Sequence, residues 1–119
     1  MADSALARTP APPYCAVIFT SKRNVSDPDG YARMAAAMDK LAAAQPGYLG
    51  VESARDQDGV GMTVSYWRDE ASIAAWKRVA AHAEAQRTGR EVWYDDYIVR
   101  VVRVEREYTM ASSTQAGLR

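Results

Sequence analysis

The stretch Tyr14-Cys-Ala-Val-Ile-Phe-Thr-Ser21 is a short apolar run, rich in β-branched and aromatic residues and set between prolines and charges. Such a run predicts a buried strand. Ser26-Asp-Pro-Asp-Gly30 follows with turn and helix-capping residues. Tyr31, Met34, Ala35, Met38, Leu41 and Ala42 then recur at three- and four-residue spacing up to Pro46-Gly47, the mark of a helix with one apolar face. Two further strands are predicted at 48–55 and 61–67, joined through Asp56-Gln-Asp-Gly-Val60 as a hairpin. Acids at Asp69 and Glu70 open a second helix with Ile73, Trp76, Val79, Ala80 and Ala83 along one side, ended by Gly89. From Val92 to Tyr108 a last β-branched stretch shifts its apolar set from Tyr97/Val99/Val101 to Val102/Val104. That shift predicts either a bulge or a strand buried on both sides.

The order β-α-β-β-α-β is the split βαβ pattern of the ferredoxin-like α+β fold, with two helices on one face of a four-stranded antiparallel sheet. Apolar residues of both parities on the strands leave the other face in need of cover. A homodimer whose sheets face one another, a dimeric α/β barrel, meets that need. Residues 1–13, with three prolines and no apolar period, read as a flexible N-terminal tail, and 109–119 read as a flexible C-terminal one. The domain is expected at 14–108.

Composition narrows the functional classes. Fifteen basic and fifteen acidic residues balance, with no cluster of one sign, so nucleic acid is not an expected partner. No apolar run is long enough to span a bilayer. One cysteine, Cys15, and the absence of a secretory head favour the cytoplasm and a core role for that thiol. A single His, His82, and a single Cys make a zinc site within one subunit unexpected. Asp56 and Asp58 are explained by the hairpin turn.

Several residues carry candidate chemistry. His82 is the only side chain with an ordinary pKa near neutrality, hence a candidate general base, and it falls to the side of the second helix's apolar stripe. Trp67, Trp76 and Trp93 offer faces for stacking on a flat ligand, and Tyr66 and Tyr94 offer hydroxyls to orient it. Each also has a plain packing role open to it.

Pro46-Gly-Tyr-Leu-Gly-Val-Glu-Ser53, Val64-Ser-Tyr-Trp67, Ala75-Trp-Lys77, His82 and Gly89-Arg-Glu-Val-Trp-Tyr94, taken in that order, resemble the antibiotic biosynthesis monooxygenase family. The resemblance implies a dimeric α/β barrel with a pocket between sheet and helices. In some members that pocket serves to oxygenate polycyclic aromatics with O₂ and no bound metal or flavin. Other branches act on quinols or degrade heme. Heme-degrading relatives carry an Asn on the first strand and a Trp and a His ten residues apart on the second helix. Here Thr20 and Ser21 end the strand, Trp76 matches, and Gln86 stands where the His falls. The resemblance therefore implies a cofactor-independent monooxygenase acting on a phenol, quinol or polyketide-like ring, with a heme-binding or heme-degrading dimer, or a non-catalytic binding module, as the alternative.

Overall fold

The computed structural model describes residues 6–24, 26–85 and 93–112, with the backbone alone at 83–85. Its elements are β1 (Tyr14–Arg23), α1 (Pro28–Ala43), β2 (Tyr48–Arg55), β3 (Val60–Trp67), α2 (Glu70–Ala85) and β4 (Tyr94–Val104). The strands form one antiparallel sheet in the order β2-β3-β1-β4, the ferredoxin-like α+β arrangement that the pattern predicted. Gly89 and Val92, the expected helix end and strand start, lie outside the described residues, as do 1–5 and 113–119.

Local chemistry sets the boundaries. Asp27 caps α1 by accepting from Gly30 N at 3.1 Å, with Pro28 opening the helix. Gly47 ends the connection to β2 at φ 86°, where a Cβ would lie 2.1 Å from Ser72 Oγ; only glycine takes both that backbone and that closeness. Asp56 Oδ1 accepts from Asp58 N at 2.9 Å and Val60 N at 3.0 Å, closing the β2–β3 turn. Asp69 caps α2 through the Ser72 hydroxyl and N–H, which hold its carboxyl below the usual carboxylate range.

Strand parity divides the sheet into two faces. Cys15, Val17, Phe19 and Ser21 of β1 look toward the helices, in register with Trp67, Ser65, Thr63 and Gly61 of β3. Cys15, Ala42, Trp67 and Ile73 form the buried core, with Val17, Tyr48 and Trp76 packed on it. Cys15 is thus a core residue, as its apolar surroundings suggested.

The face shift in β4 has a different cause from the bulge expected. Its pairing with β1 runs unbroken from Tyr14↔Val104 to Lys22↔Asp96, and the one irregularity falls between Lys22 and Arg23. Neither is β4 buried on both sides within the single chain, since it is an edge strand and Ile98, Val99, Val101 and Val102 are all exposed. Both parities are apolar because the strand serves two surfaces: Tyr97, Val99 and Val101 on the helix side, and Ile98, Val102 and Val104 on the outer side.

Residues 6–13 run against the outer face. Ala7 N donates to Glu52 Oε2 at 2.9 Å, and Thr9 Oγ1 to Tyr14 Oη at 2.9 Å. Tyr14 in turn bonds Glu107, just beyond β4. Among the described residues no helix is long and apolar enough to cross a membrane.

Candidate active site

A cavity of about 570 Å³ opens between the helix side of the sheet and the two helices, within the range of small-molecule sites. Val17, Met34, Ala35, Met38, Ile73 and Ala80 give it apolar walls. At the end near the start of α1, Phe19, Tyr31, Tyr94 and Tyr97 form an aromatic cluster. Their ring centroids lie 5.4 Å apart for Phe19–Tyr94 and Phe19–Tyr97, and 5.9 Å apart for Tyr31–Tyr94. Toward the other end Tyr48, Asp39, Trp76 and Lys77 contribute to the wall. Val99 and Val101 form the β4 side while staying 50% and 52% exposed, so the cavity opens toward that edge.

Two of the six residues singled out from sequence line this space. Trp76 forms part of the wall and stacks on Trp67 at 5.8 Å, and Tyr94 belongs to the aromatic cluster. The other four lie elsewhere. Trp67 is 0% exposed, behind Trp76, with its Nε1 donating to Ser65 Oγ at 2.9 Å. Trp93 is buried just before β4, and its carbonyl accepts from Asn24 N. Tyr66 has the opposite parity on β3 and faces outward, where its hydroxyl donates to Glu52 Oε1 at 2.6 Å. Burial first, and then that carboxylate, push its phenol up to about 12.

His82 is exposed and does not line the cavity. At roughly 100° per residue, Ile73, Trp76, Lys77, Ala80 and Ala81 gather on one side of α2, and His82 points about 170° from their mean. Even from the mean of Ile73, Trp76, Ala80 and Ala83 it stands about 140° away, so the helical period itself sets His82 well off the stripe rather than at its side. As His82 is the chain's single histidine, the cavity wall presents no imidazole to a base role or to a heme iron.

Asp39 is the titratable group that the sequence reading passed over. It stands at the rim on the flank of α1, exposed to solvent on one side and desolvated on the other, and burial lifts its carboxyl above the usual carboxylate range. No described residue donates a hydrogen bond to it. The phenol of Tyr48 is raised too, by burial first and then by the Asp39 charge. The signal in the sequence was the four-residue ladder Tyr31–Ala35–Asp39, which carries a carboxylate along the edge of the apolar face. Tyr97 was legible as well, through its place in the alternating set with Val99 and Val101. Among the described residues no three His, Cys, Asp or Glu side chains gather as a metal-binding group.

The fold and cavity can be set beside known proteins. A sequence model of the antibiotic biosynthesis monooxygenase family matches residues 29–88, half of the chain. The uncharacterized protein YqjZ of Bacillus subtilis (strain 168) is 48% identical over 109 residues, covering 92% of this chain and 95% of that protein. The jasmonate monooxygenase ABM of Pyricularia oryzae is 33% identical over 93 residues, covering 75% of this chain but 42% of its own length. SnoaB, a cofactor-independent oxygenase from Streptomyces nogalater, superposes with a TM-score of 0.59 at 13% identity, covering 83% of this chain and 98% of SnoaB. That likeness is one of fold. The match across α1, the hairpin and α2, which form part of the cavity wall, shows that this chain belongs to the antibiotic biosynthesis monooxygenase family.

Proposed function

We propose that the protein is a cofactor-independent monooxygenase that oxygenates a flat phenol, quinol or polyketide-like ring with O₂ in the cavity between sheet and helices. The observation that carries this reading is the cavity itself: about 570 Å³, apolar along its body, with Trp76 in its wall and tyrosines at one end. Family membership, together with SnoaB being a cofactor-independent oxygenase and the Pyricularia oryzae relative a jasmonate monooxygenase, supports the activity class.

The chemistry needs no outside reductant. Asp39 takes the substrate's hydroxyl proton, and the apolar wall keeps the resulting ring anion poorly solvated and electron-rich. The anion passes one electron to O₂, and the radical pair joins at a ring carbon to give a hydroperoxide. Loss of that carbon's hydrogen as a proton, together with O–O cleavage, leaves one oxygen as a carbonyl. The other departs as water with the two hydrogens lost from the substrate. The substrate supplies all four electrons. Asp39 returns its proton to the departing oxygen, while Trp76 and Tyr94 hold the ring plane.

Oxygen uptake by the purified protein, measured against a panel of naphthols, naphthohydroquinones and tricyclic phenols, tests the reading. Turnover with at least one of them is expected. In Ala80→Phe, which sets a ring inside the cavity, uptake falls to background with unchanged far-UV circular dichroism. Saturable binding of the panel with no uptake converts the reading to a non-catalytic binding module. A Soret titration that saturates with heme favours the heme branch.

The same reading includes a homodimer in the cytoplasm. Ile18, Met62, Val64, Ile98 and Val102 share the outer face of the sheet, with Met62 and Ile98 49% and 48% exposed. A second copy of that face is the natural cover. Ile98→Asp is expected to turn a dimer into a monomer in sedimentation equilibrium, and a variant that stays dimeric moves the interface elsewhere. The lone, buried Cys15 accords with a reducing compartment.

A further inference from the structure

Two guanidinium groups converge on one tyrosine at the aromatic end of the cavity. Arg23 Cζ lies 4.0 Å and Arg55 Cζ 5.9 Å from the Tyr31 ring centroid. Arg55 reaches there from the end of β2, across from Gly61 on β3. A Cβ at Gly61 would lie 2.8 Å from Arg55 Cζ, so glycine clears the path for the guanidinium over the sheet. Along that path Nη2 donates to Ser21 Oγ at 2.8 Å, Nη1 donates to the Gly59 carbonyl, and Nη2 reaches Tyr31 Oη at 3.4 Å. Arg23 Nε is buried with no hydrogen-bond partner. Among the described residues no carboxylate forms an ion pair with either arginine.

Partly buried like charges without a counter-charge are costly, and a nearby anion relieves them. Among the described residues no protein anion fills that role, and the cavity runs up to the same ring. Tyr31 forms part of its wall, and since the phenol oxygen accepts from Arg55, its proton is left to donate into the cavity. We infer that Tyr31, backed by Arg55 and Arg23, receives an anionic oxygen of the ligand, and that the ligand class is an aromatic bearing a carboxylate. A hydrogen bond to a charged acceptor is about twice as strong as one to a neutral acceptor, so charge on the ligand is what this end of the cavity selects. Asp39 lies eight residues along α1 from Tyr31, about 12 Å of helix, which keeps the like-charged carboxylate away from the anion. The inference rests on the cavity being the ligand site proposed above.

Calorimetric titration of the full chain with 2-naphthoate and its neutral isostere 2-naphthamide tests it. The wild-type protein is expected to bind the anion at least about 10-fold more tightly. In Tyr31→Phe that ratio falls to within about twofold, with naphthamide affinity retained. In Lys77→Met, which removes the cation at the other end of the wall, the ratio stays. Arg55→Lys, which keeps the charge but loses the fork to Ser21 and Tyr31, gives an intermediate ratio. A ratio that survives in Tyr31→Phe, or that collapses in Lys77→Met instead, overturns the inference and leaves the cavity reading standing. Binding of neither compound to the wild-type protein removes the cavity reading and this inference together.

Discussion

Replacing Asp39 with asparagine is expected to lower kcat/KM for oxygenation by about 10²–10⁴ while making the folded protein more stable at neutral pH. The first effect follows from the mechanism: the amide keeps the shape of the carboxyl but accepts no proton from the substrate. In the wild-type protein kcat/KM is expected to fall on the acid side, as pH drops through the raised pKa of Asp39, and the asparagine variant is expected to lose that limb. The second effect follows from linkage. The folded-state pKa of Asp39 lies above its unfolded value, so its contribution to stability is fully present below the unfolded pKa and is lost as pH rises through the folded one. At neutral pH the ionised carboxyl is therefore a liability in the fold that asparagine does not share. The gain in Tm should vanish below about pH 4, near the ordinary carboxylate pKa. Opposite movements of activity and stability from one substitution mark a group kept for function. Oxygen-electrode kinetics and thermal denaturation across pH 4–8 check both. His82→Ala, on the far side of α2, is expected to leave kcat/KM within about twofold. Unchanged turnover in Asp39→Asn, with loss in His82→Ala, would return the base role to the histidine.

The largest effect on stability is expected at Trp67. Truncation to alanine should cost about 3–5 kcal/mol, a large share of the roughly 5–15 kcal/mol that holds a domain folded. Trp67 is 0% exposed, and three partners make its place hard to refill. Trp76 stacks on it at 5.8 Å and 21°, Tyr48 meets it edge-on at 5.5 Å, and Ser65 Oγ accepts from its indole N–H. Its strand position lies between Cys15 on β1 and Tyr48 on β2, so the void would open where the sheet, α1 and α2 meet. Urea denaturation measures the loss, and a value under about 1 kcal/mol would mean that the neighbours collapse into the space. Because Trp76 rests on Trp67, ligand affinity should fall with stability, although Trp67 itself never touches the cavity.

These cases show which parts of the molecule were legible in advance. Helix and strand placement followed from local periodicity: Tyr31 to Ala42 marked α1, and the Asp-Gly pair at 58–59 marked the hairpin. Such signals depend on each residue's near neighbours along the chain, and backbone geometry turns them into faces at fixed spacing. β4 was ambiguous for a physical reason. Apolar residues of both parities mean two apolar surroundings, and a chain read alone does not say whether a bulge or a second surface supplies them.

The site residues divide along the same line. Trp76 was readable because it belongs to a helix whose cavity-facing side the sequence defines. His82 drew attention through its chemistry, but at about 100° per residue it stands nearly opposite the residues of α2 that line the cavity. Asp39 escaped because an acid on a helix flank ordinarily means solvent, and only the sheet opposite makes it a desolvated wall. Tyr66 and Tyr94 are the same residue type on strands, and alternation alone would put Tyr94 on the outer face with Ile98; the slip in pairing from Lys22↔Asp96 to Arg23↔Tyr94 turns it into the cavity.

By itself, then, the sequence determined the fold class, the order of elements and the apolar faces, since these arise from steric limits and periodicities acting over a few residues. The tertiary structure alone decided which residues share the cavity, because that depends on how the helices rotate against the sheet. It also brought Arg23, Arg55 and Tyr31 together, from three separate elements, around one phenol ring.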